Sequence, residues 1–430
     1  MRRAGLRRVA SPAAEISVMS FPPVRYVQAV PVMHDGQHVV VLQDPEGLCP
    51  ETLAVPLPLY LIMTLLDGRR DARAVQTEIA RMAQGQIVPT QEIERIVHEL
   101  DELYLLENAR ARERRAELER EFDALPLRPP IHAGAAYPAE ADALQEMMRQ
   151  LFDGLTPAAA DAPRPRGLIL PHIDLRVGGR ALARALATLD ADRPPRLYII
   201  LGVAHSPTRN LFTLTDKSFA TPLGLVETDR DAAARLRELY GAERLSGQIA
   251  HRLEHSIEFT TVGLRYLHGA SHNGSPGGTV RMLPLLCGSL HEVLEEDGLS
   301  PRELPVVNDF IEALRRLIDE LNGDVCLIAS VDLSHVGLKF GDAEGISDLR
   351  RELVRSADDA MLATIERGEP EAFFDTFRAD RNARNVDAIT SVYVLLHALG
   401  AVARAERLDY QQWHEAATDS MVSYASLALY

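Results

Sequence analysis

The chain of 430 residues is longer than a single hydrophobic core usually supports, so we expect two domains. Its formal charge of −16 argues against nucleic acid as a partner, because contacts with phosphates need a basic face. It has no apolar run near the roughly 20 residues that cross a bilayer, no apolar stretch of a secretory signal after its arginine-rich start, and 3 widely separated cysteines. We therefore expect a cytoplasmic protein without a membrane partner.

Residues 21–108 are predicted to form a small α+β domain. His38–Leu42 has the apolar, β-branched composition of a strand between two turn signals, and Leu103–Leu106 is predicted to be a closing strand. Apolar spacing between them predicts three helices, at Pro58–Leu66, at Asp71–Met82 and after Thr90 as an N-cap. A strand pair with three helices is the outline of a winged helix. Acidic residues outnumber arginines in this range and it has no lysine, which disfavours DNA binding.

Residues 109–130 are predicted to connect this domain to the rest of the chain. Glu107–Glu121 is dense in alternating charge, and the segment that follows it is rich in proline. One interpretation is a solvated helical spacer followed by a stiff, extended linker. A surface helix packed on one of the domains explains the same pattern equally well.

Residues 131–430 are predicted to form an α/β domain with a mixed, largely parallel sheet flanked by helices. The predicted strands are Gly167–Leu170, Leu197–Leu201, Val280–Leu286, Val325–Val331 and a last strand over 421–430. The predicted helices include Ala139–Phe152, Asp231–Leu239, Val306–Leu321 and Asp358–Arg367. Apolar strands that alternate with helices indicate a sheet covered on both faces. Ser271–Gly278 is expected to be a flexible loop.

Polar residues follow three of these strands directly. His172 comes after the first, His205 after the second, and Asp332 and His335 after the strand that starts at Val325. Ligands of open α/β sheets bind beyond the carboxyl ends of the strands, so the three imidazoles could share one site. Each also has an ordinary structural explanation, as a hydrogen-bonded loop residue or, for Asp332, as a helix cap.

A fourth polar segment surrounds His255. Its spacing to Glu258 would place an imidazole and a carboxylate on one face of a helix, together with His251. Imidazole and carboxylate ligands suit iron, zinc or another divalent ion from the middle of the first transition-metal series. The same groups could perform general acid–base catalysis. An exposed polar helix face is the structural alternative.

The motifs of residues 131–430 resemble the Memo-like family, in its AmmeMemoRadiSam system protein B type. The resemblance lies in the order of several segments: AGAAYP at 133–138, LPH at 170–172, LGVAH at 201–205, EHSIE at 254–258, SVDLSH at 330–335 and MVSYA at 421–425. It implies a fold similar to the class III extradiol dioxygenases, which are non-haem iron enzymes. It further implies metal ligation by His172, His205 and His335, catalytic roles for His255, Glu258 and Asp332, and radical SAM and AMMECR-type partner proteins.

The chain departs from the family pattern at two positions. Many relatives have a second histidine where Ser206 follows His205, and relatives tend to have a late cysteine ligand that is missing from 382–387. Asn385 or Asp387 could replace that thiolate.

The N-terminal domain resembles the PqqD-related winged helices, mainly through Leu66-Asp-Gly-Arg-Arg70 after an apolar helix. That likeness implies capture of a peptide by addition of a strand to the sheet edge, with a purely structural role as the alternative.

Two functions compete on this basis. The first is a metal-dependent, dioxygenase-like oxidoreductase that contains iron, with zinc or copper as possible replacements, and acts on a small molecule or a modified peptide. The second is a non-catalytic accessory protein with a degenerate metal site that binds a peptide or a radical SAM partner. A metal-dependent hydrolase that activates water with the same residues ranks third.

Overall fold

The computed structural model describes residues 20–34, 37–82, 87–159, 162–269, 279–296 and 298–430. Every helix in these ranges is too short or too polar to span a lipid bilayer. The arginine-rich start and the predicted loop Ser271–Gly278 lie outside the described residues.

A small antiparallel sheet with three helices forms the N-terminal unit. Its strands are β1 (Gln28–His34), β2 (Gln37–Gln43) and β3 (Leu53–Pro56), in the order β1-β2-β3, and its helices are α1 (Leu57–Leu65), α2 (Ala72–Met82) and α3 (Thr90–Glu102). The predicted closing strand at Leu103–Leu106 is reduced to a single bridge between Leu106 and Val24. Thr90 is the first residue of its helix and not the N-cap, because Pro89 occupies the cap position with an extended backbone.

The charged segment after this unit is a packed helix, α4 (Ala109–Ala124). Leu118 and Phe122 are buried on one side of it, and the ammonium of Lys217 lies 5.1 Å from the centre of the Phe122 ring. The Lys217 ammonium also donates hydrogen bonds to the carbonyls of Asp123 and Leu125. Of the two interpretations of this segment, the packed surface helix is therefore the observed one.

The rest of the chain forms one large sheet with helices on both faces, as predicted. The strands are β4 (Gly167–Leu170), β5 (Leu197–Val203), β6 (Phe212–Leu214), β7 (Phe219–Thr221), β8 (Gly224–Thr228), β9 (Arg281–Cys287), β10 (Val325–Ser330), β11 (His335–Gly337), β12 (Ala405–Glu415) and β13 (Ser420–Leu429). Their order is β11-β13-β4-β10-β5-β9-β8-β7, with β12 beside β13 and β6 beside β9. The run β4-β10-β5-β9-β8 is parallel, and the remaining pairs are antiparallel.

Two apolar layers cover this sheet. The helices are α5 (Ala141–Phe152), α6 (Leu175–Leu186), α7 (Arg230–Tyr240), α8 (Glu258–Gly269), α9 (His291–Glu295), α10 (Pro305–Glu320), α11 (Asp348–Glu366), α12 (Pro370–Asp375) and α13 (Ile389–Leu399). One layer contains α7, α10 and α13, and the opposite layer contains α5, α6 and α8. The central strands are buried along their whole length and almost entirely apolar, because both of their faces lie between these layers.

Candidate metal centre

Three histidines converge at the carboxyl edge of the parallel strands. His172 follows β4 and His205 follows β5, while His255 lies in the loop before α8. The ring centres are 5.1 Å apart for His172 and His205, 5.1 Å for His172 and His255, and 4.7 Å for the stacked pair His205 and His255. One potential ligand atom of each residue lies within 4.8 Å of the other two, so the three could hold one metal ion.

Two of these imidazoles, those of His172 and His205, are held by hydrogen bonds at Nδ1, and the third, that of His255, lies against a carboxylate. Nδ1 of His172 lies 2.8 Å from the carbonyl oxygen of Ser330, which can only accept, so this nitrogen donates. Nδ1 of His205 lies 3.0 Å and Nδ1 of His255 3.2 Å from the same oxygen of Glu254. For His172 and His205, Nε2 is the ring nitrogen that remains for another partner. This is the arrangement that oriented histidine ligands of metals have in proteins.

Glu254 is the residue that organises the loop around His255. Its buried carboxylate accepts the backbone N–H groups of His205, His255 and Ser256 at 2.9, 2.8 and 2.9 Å. Burial alone would raise the pKa of Glu254, but the imidazoles of His205 and His255 hold the pKa well below its usual value. The sequence assigned no role to Glu254, because its pattern does not indicate that this carboxylate turns back onto the N–H groups that follow it.

Asp387 brings a carboxylate to the same cluster. Its Oδ1 accepts the backbone N–H of Asp332 at 3.0 Å. Its Oδ2 lies 3.2 Å from Nε2 of His172 and 3.7 Å from Nε2 of His205, without hydrogen-bond geometry to either and without another partner in the described part of the chain. The sequence suggested Asn385 or Asp387 as a replacement for a thiolate ligand, and that role of Asp387 stays a prediction.

Burial and neighbouring charges shift the pKa values of the clustered histidines. Burial lowers the pKa of His172, but Asp332 and Asp387 outweigh that effect and raise the pKa to about 8. Burial also dominates at His255, where it lowers the pKa to about 4 despite contact with Glu254. His255 is therefore a neutral imidazole near neutral pH, which is the protonation state that a metal ligand needs.

Asp332 and His335 differ in how they contact the surroundings of the histidine cluster. Oδ1 of Asp332 accepts the backbone N–H groups of His172 and Ile173, both at 3.2 Å, so this carboxylate fixes the loop after β4. Nδ1 of His335 lies 3.0 Å from the carbonyl of Leu333, and the ring stands edge-on to Phe340. The three-histidine group does not include His335. The catalytic role of Asp332 and metal ligation by His335 stay predictions.

Glu258 lies outside the histidine cluster, in a buried ion pair with Arg128. Its other oxygen accepts the backbone N–H of His132 at 3.0 Å and the hydroxyl of Tyr137. The proposed helix over 251–258 is not present, because His251 ends a short 3-10 turn and α8 begins only at Glu258. The backbone N–H groups of this loop bond to the Glu254 carboxylate in place of a helical ladder. A catalytic role for Glu258 therefore has no support from a shared helix face and stays a prediction.

Comparison with known proteins assigns the chain to a family. A family model described as Memo-like protein matches residues 128–428, which is more than half of the chain. A MEMO1 family protein of Aquifex aeolicus is 28% identical over 413 residues and matches 95% of this chain and 100% of its own length, so the similarity extends into the N-terminal unit. MEMO1 family proteins of Thermus thermophilus, 30% identical over 85% of this chain and 100% of the relative, and of Thermococcus onnurineus, 27% identical over 70% and 98%, are also similar. The chain belongs to the Memo-like protein family.

Proposed function

We propose that this chain is a metal-dependent enzyme in which His172, His205 and His255 bind a divalent ion and Asp387 completes the ligand set. The observation that carries this proposal is the convergence of three imidazoles, two of which, His172 and His205, are held by hydrogen bonds at Nδ1, while Nδ1 of His255 lies 3.2 Å from the Glu254 carboxylate. In the two hydrogen-bonded rings, Nε2 is the nitrogen that remains for a metal. Rings held in this way lose little freedom when they bind an ion.

The unpartnered oxygen of Asp387 supports the same conclusion. A buried carboxylate oxygen normally accepts a hydrogen bond, because burying it without one costs free energy. Oδ2 of Asp387 has no such partner in the described ranges and lies beside two imidazoles. A divalent cation bound there would satisfy this oxygen and neutralise its charge. The residues present therefore fit a metal ion.

The donor set favours iron, with zinc or copper as alternatives. Bound iron would supply redox chemistry toward O₂, in keeping with the resemblance to class III extradiol dioxygenases. The chain itself contributes orientation: Glu254 and the Ser330 carbonyl hold the three rings, and Asp332 holds the loop that carries His172. The proposed substrate is a small molecule or a modified peptide.

The test is elemental analysis of protein purified without oxygen and loaded with Fe(II). We compare the wild type with His172→Ala, Asp387→Ala and, as a matched control, His98→Ala, whose side chain is exposed on α3. We expect close to one equivalent of metal in the wild type and the control, and loss of metal in the other two variants. Oxygen uptake with a catechol then tests the reaction. A wild type that retains no added Fe(II), or a His172→Ala variant that retains it fully, would overturn the proposal.

A second candidate function is that of an accessory protein that binds a peptide or the radical SAM and AMMECR-type partners of the AmmeMemoRadiSam system. Two observations favour it: the late cysteine is missing, and the small N-terminal sheet ends in β1 and β3, each of which pairs on one side only within the described residues. An unpaired strand edge can accept a peptide as an additional strand, as PqqD-like domains do. Co-purification with the radical SAM enzyme of the same genome, combined with an inactive metal-free protein, would favour this function over catalysis.

A further inference from the structure

A cavity of about 600 Å³ lies between the N-terminal unit and the α/β body. Leu48 from the N-terminal unit, Leu118 from α4 and Leu253 from the loop before α8 supply apolar walls on three sides, and Tyr26 lines it as well. The volume lies within the range of small-molecule sites, and such sites are mostly apolar with a few polar groups that orient the ligand. No role of the histidine cluster requires this space.

A rigid turn of the N-terminal unit builds one wall of the cavity. Asp44 accepts the backbone N–H groups of Glu46, Leu48 and Cys49 and forms a buried ion pair with Arg25. The turn is attached to the α/β body at two points. The hydroxyl of Ser206 donates to the Pro45 carbonyl at 2.7 Å, and the guanidinium of Arg252 donates to the Glu46 carbonyl at 2.5 Å. The cavity is therefore preformed.

The arginines of the cavity differ in how they are neutralised. Arg25 pairs with Asp44 and Glu46, and Arg115 pairs with Glu46 and Glu107. The interior carboxylates of Glu46 and Glu107 therefore both lie in ion pairs, whereas Glu119 and Glu243 lie exposed at the rim of the cavity.

Arg252 is the exception among the cavity arginines that lie inside. Its only hydrogen bond within the described ranges goes to a neutral carbonyl, and it has no ion pair there. Burial, and then the charge of Arg114, lower the pKa of Arg252. A half-buried guanidinium with one neutral acceptor retains donors that suit an oxyanion. Arg209, exposed at the opposite end of the cavity, also has no ion pair within the described part of the chain.

We propose that this cavity binds an amphipathic anion, whose carboxylate or phosphate group pairs with Arg252 while its apolar part lies against Leu48, Leu118 and Leu253. Charge complementarity favours an anionic group, since Arg252 is a cation of the cavity interior that has no carboxylate partner among the described residues. The lining favours an apolar body, because a ligand that covers Leu253 and Tyr26, which are still partly exposed, removes apolar surface from water.

The position of the cavity links this ligand to the histidine cluster. A neighbouring cavity, lined by His205, shares Tyr26 and the segment 206–209 with it. A ligand held at Arg252 therefore lies beside the loop that directly follows a proposed metal ligand. Binding of the anion itself does not depend on a metal, so the proposal can be tested on metal-free protein.

Isothermal titration of the metal-free full-length chain tests the proposal with three probes: octanoate, octyl phosphate and the uncharged 1-octanol. We expect one equivalent of at least one anion to bind, with an affinity at least tenfold higher than that of 1-octanol. A preference for octanoate assigns a carboxylate ligand, and a preference for octyl phosphate assigns a phosphate. Failure of both anions to bind, or equal affinity for 1-octanol, would overturn the proposal.

Substitutions of Arg252 test its role in the same titration. Arg252→Gln should weaken binding of the preferred anion about tenfold to a hundredfold, because a hydrogen-bonded charge pair is lost. Arg252→Lys keeps the charge but lacks the planar guanidinium, so its affinity for the anion should lie between the affinities of Arg252→Gln and the wild type. The matched control is Arg316→Gln on the exposed face of α10, which should bind as the wild type does. Unchanged affinity in a folded Arg252→Gln variant would refute the assignment. If that variant does not fold, equal affinity of Arg252→Lys and the wild type for the anion would refute recognition of the anion by the planar guanidinium of Arg252.

Discussion

The ion pair between Arg128 and Glu258 gives the sharpest test of how the site is built. The sequence suggested a catalytic carboxylate at Glu258, whereas the structure places it in a buried network that joins the segment after α4 to the loop before α8. We predict that Glu258→Gln mainly destabilises the fold. Loss of metal or activity would then follow from movement of the loop that carries Glu254 and His255.

The magnitude follows from the partners that the substitution leaves behind. Both side chains of the pair are 0% exposed. Arg128 also donates to the carbonyls of His251, Pro129 and Glu254, so its charge cannot leave the interior without breaking these bonds. Removing one partner of a buried ion pair typically costs about 3–5 kcal/mol, because the other charge stays buried and uncompensated.

Equilibrium unfolding in urea measures this cost. The matched control is Glu146→Gln, which breaks the ion pair of Glu146 with Arg149 on α5, where the side chains are 51% and 61% exposed. We expect the control to lose much less unfolding free energy than Glu258→Gln, because solvent screens an exposed ion pair. A Glu258→Gln variant as stable as the control, but inactive with normal metal content, would refute a structural role and restore the catalytic one.

Three further predictions concern the surroundings of the site. Glu254→Gln should weaken metal affinity about 10- to 100-fold by loosening His205 and His255, and competition with a chelator that shows an unchanged affinity would contradict this. Gly202→Ala should cost about 1–3 kcal/mol, because its Cβ would lie 2.6 Å from Oγ of Ser256; a melting temperature equal to that of the wild type would contradict it. Burial lowers the pKa of His251 to about 3, so below pH 6.5 the unfolded chain binds a proton that the folded chain does not. Stability should therefore fall as the pH decreases from 6.5 toward 3. His251→Phe should remove about 1.4 kcal/mol per pH unit of that slope, and parallel curves of unfolding free energy against pH would refute the assignment.

The sequence predicted best those strands whose residues are buried on both faces. β4, β5, β9 and β10 are continuous apolar runs because both faces of each strand are buried, and their predicted bounds differ from the observed ones by two residues at most. α13 was not assigned, since a helix that is buried on nearly every side has no polar face to reveal its period. β12 was not assigned either, because its residues are half-exposed and polar, and its strand conformation depends on pairing with β13.

The candidate site was also predicted only in part from the sequence. The rule that ligands bind beyond the carboxyl ends of parallel strands was enough to place His172 and His205 together. Nothing local in the sequence indicates that the Glu254 carboxylate bends back onto the N–H groups that follow it, which replaces the expected helix over 251–258 by a loop. His255 reaches the cluster through that loop and not through helical spacing.

Asp387 would determine the metal preference of the proposed site. Thiolate ligands select soft ions such as copper(I) and zinc, whereas carboxylate and imidazole ligands suit iron and other ions of intermediate hardness. Oδ2 of Asp387 lies beside His172 and His205, which keep the pKa of Asp387 below its usual value although burial acts to raise it. This carboxylate is therefore anionic across the physiological pH range. As a ligand of the proposed site, it would favour iron over copper(I).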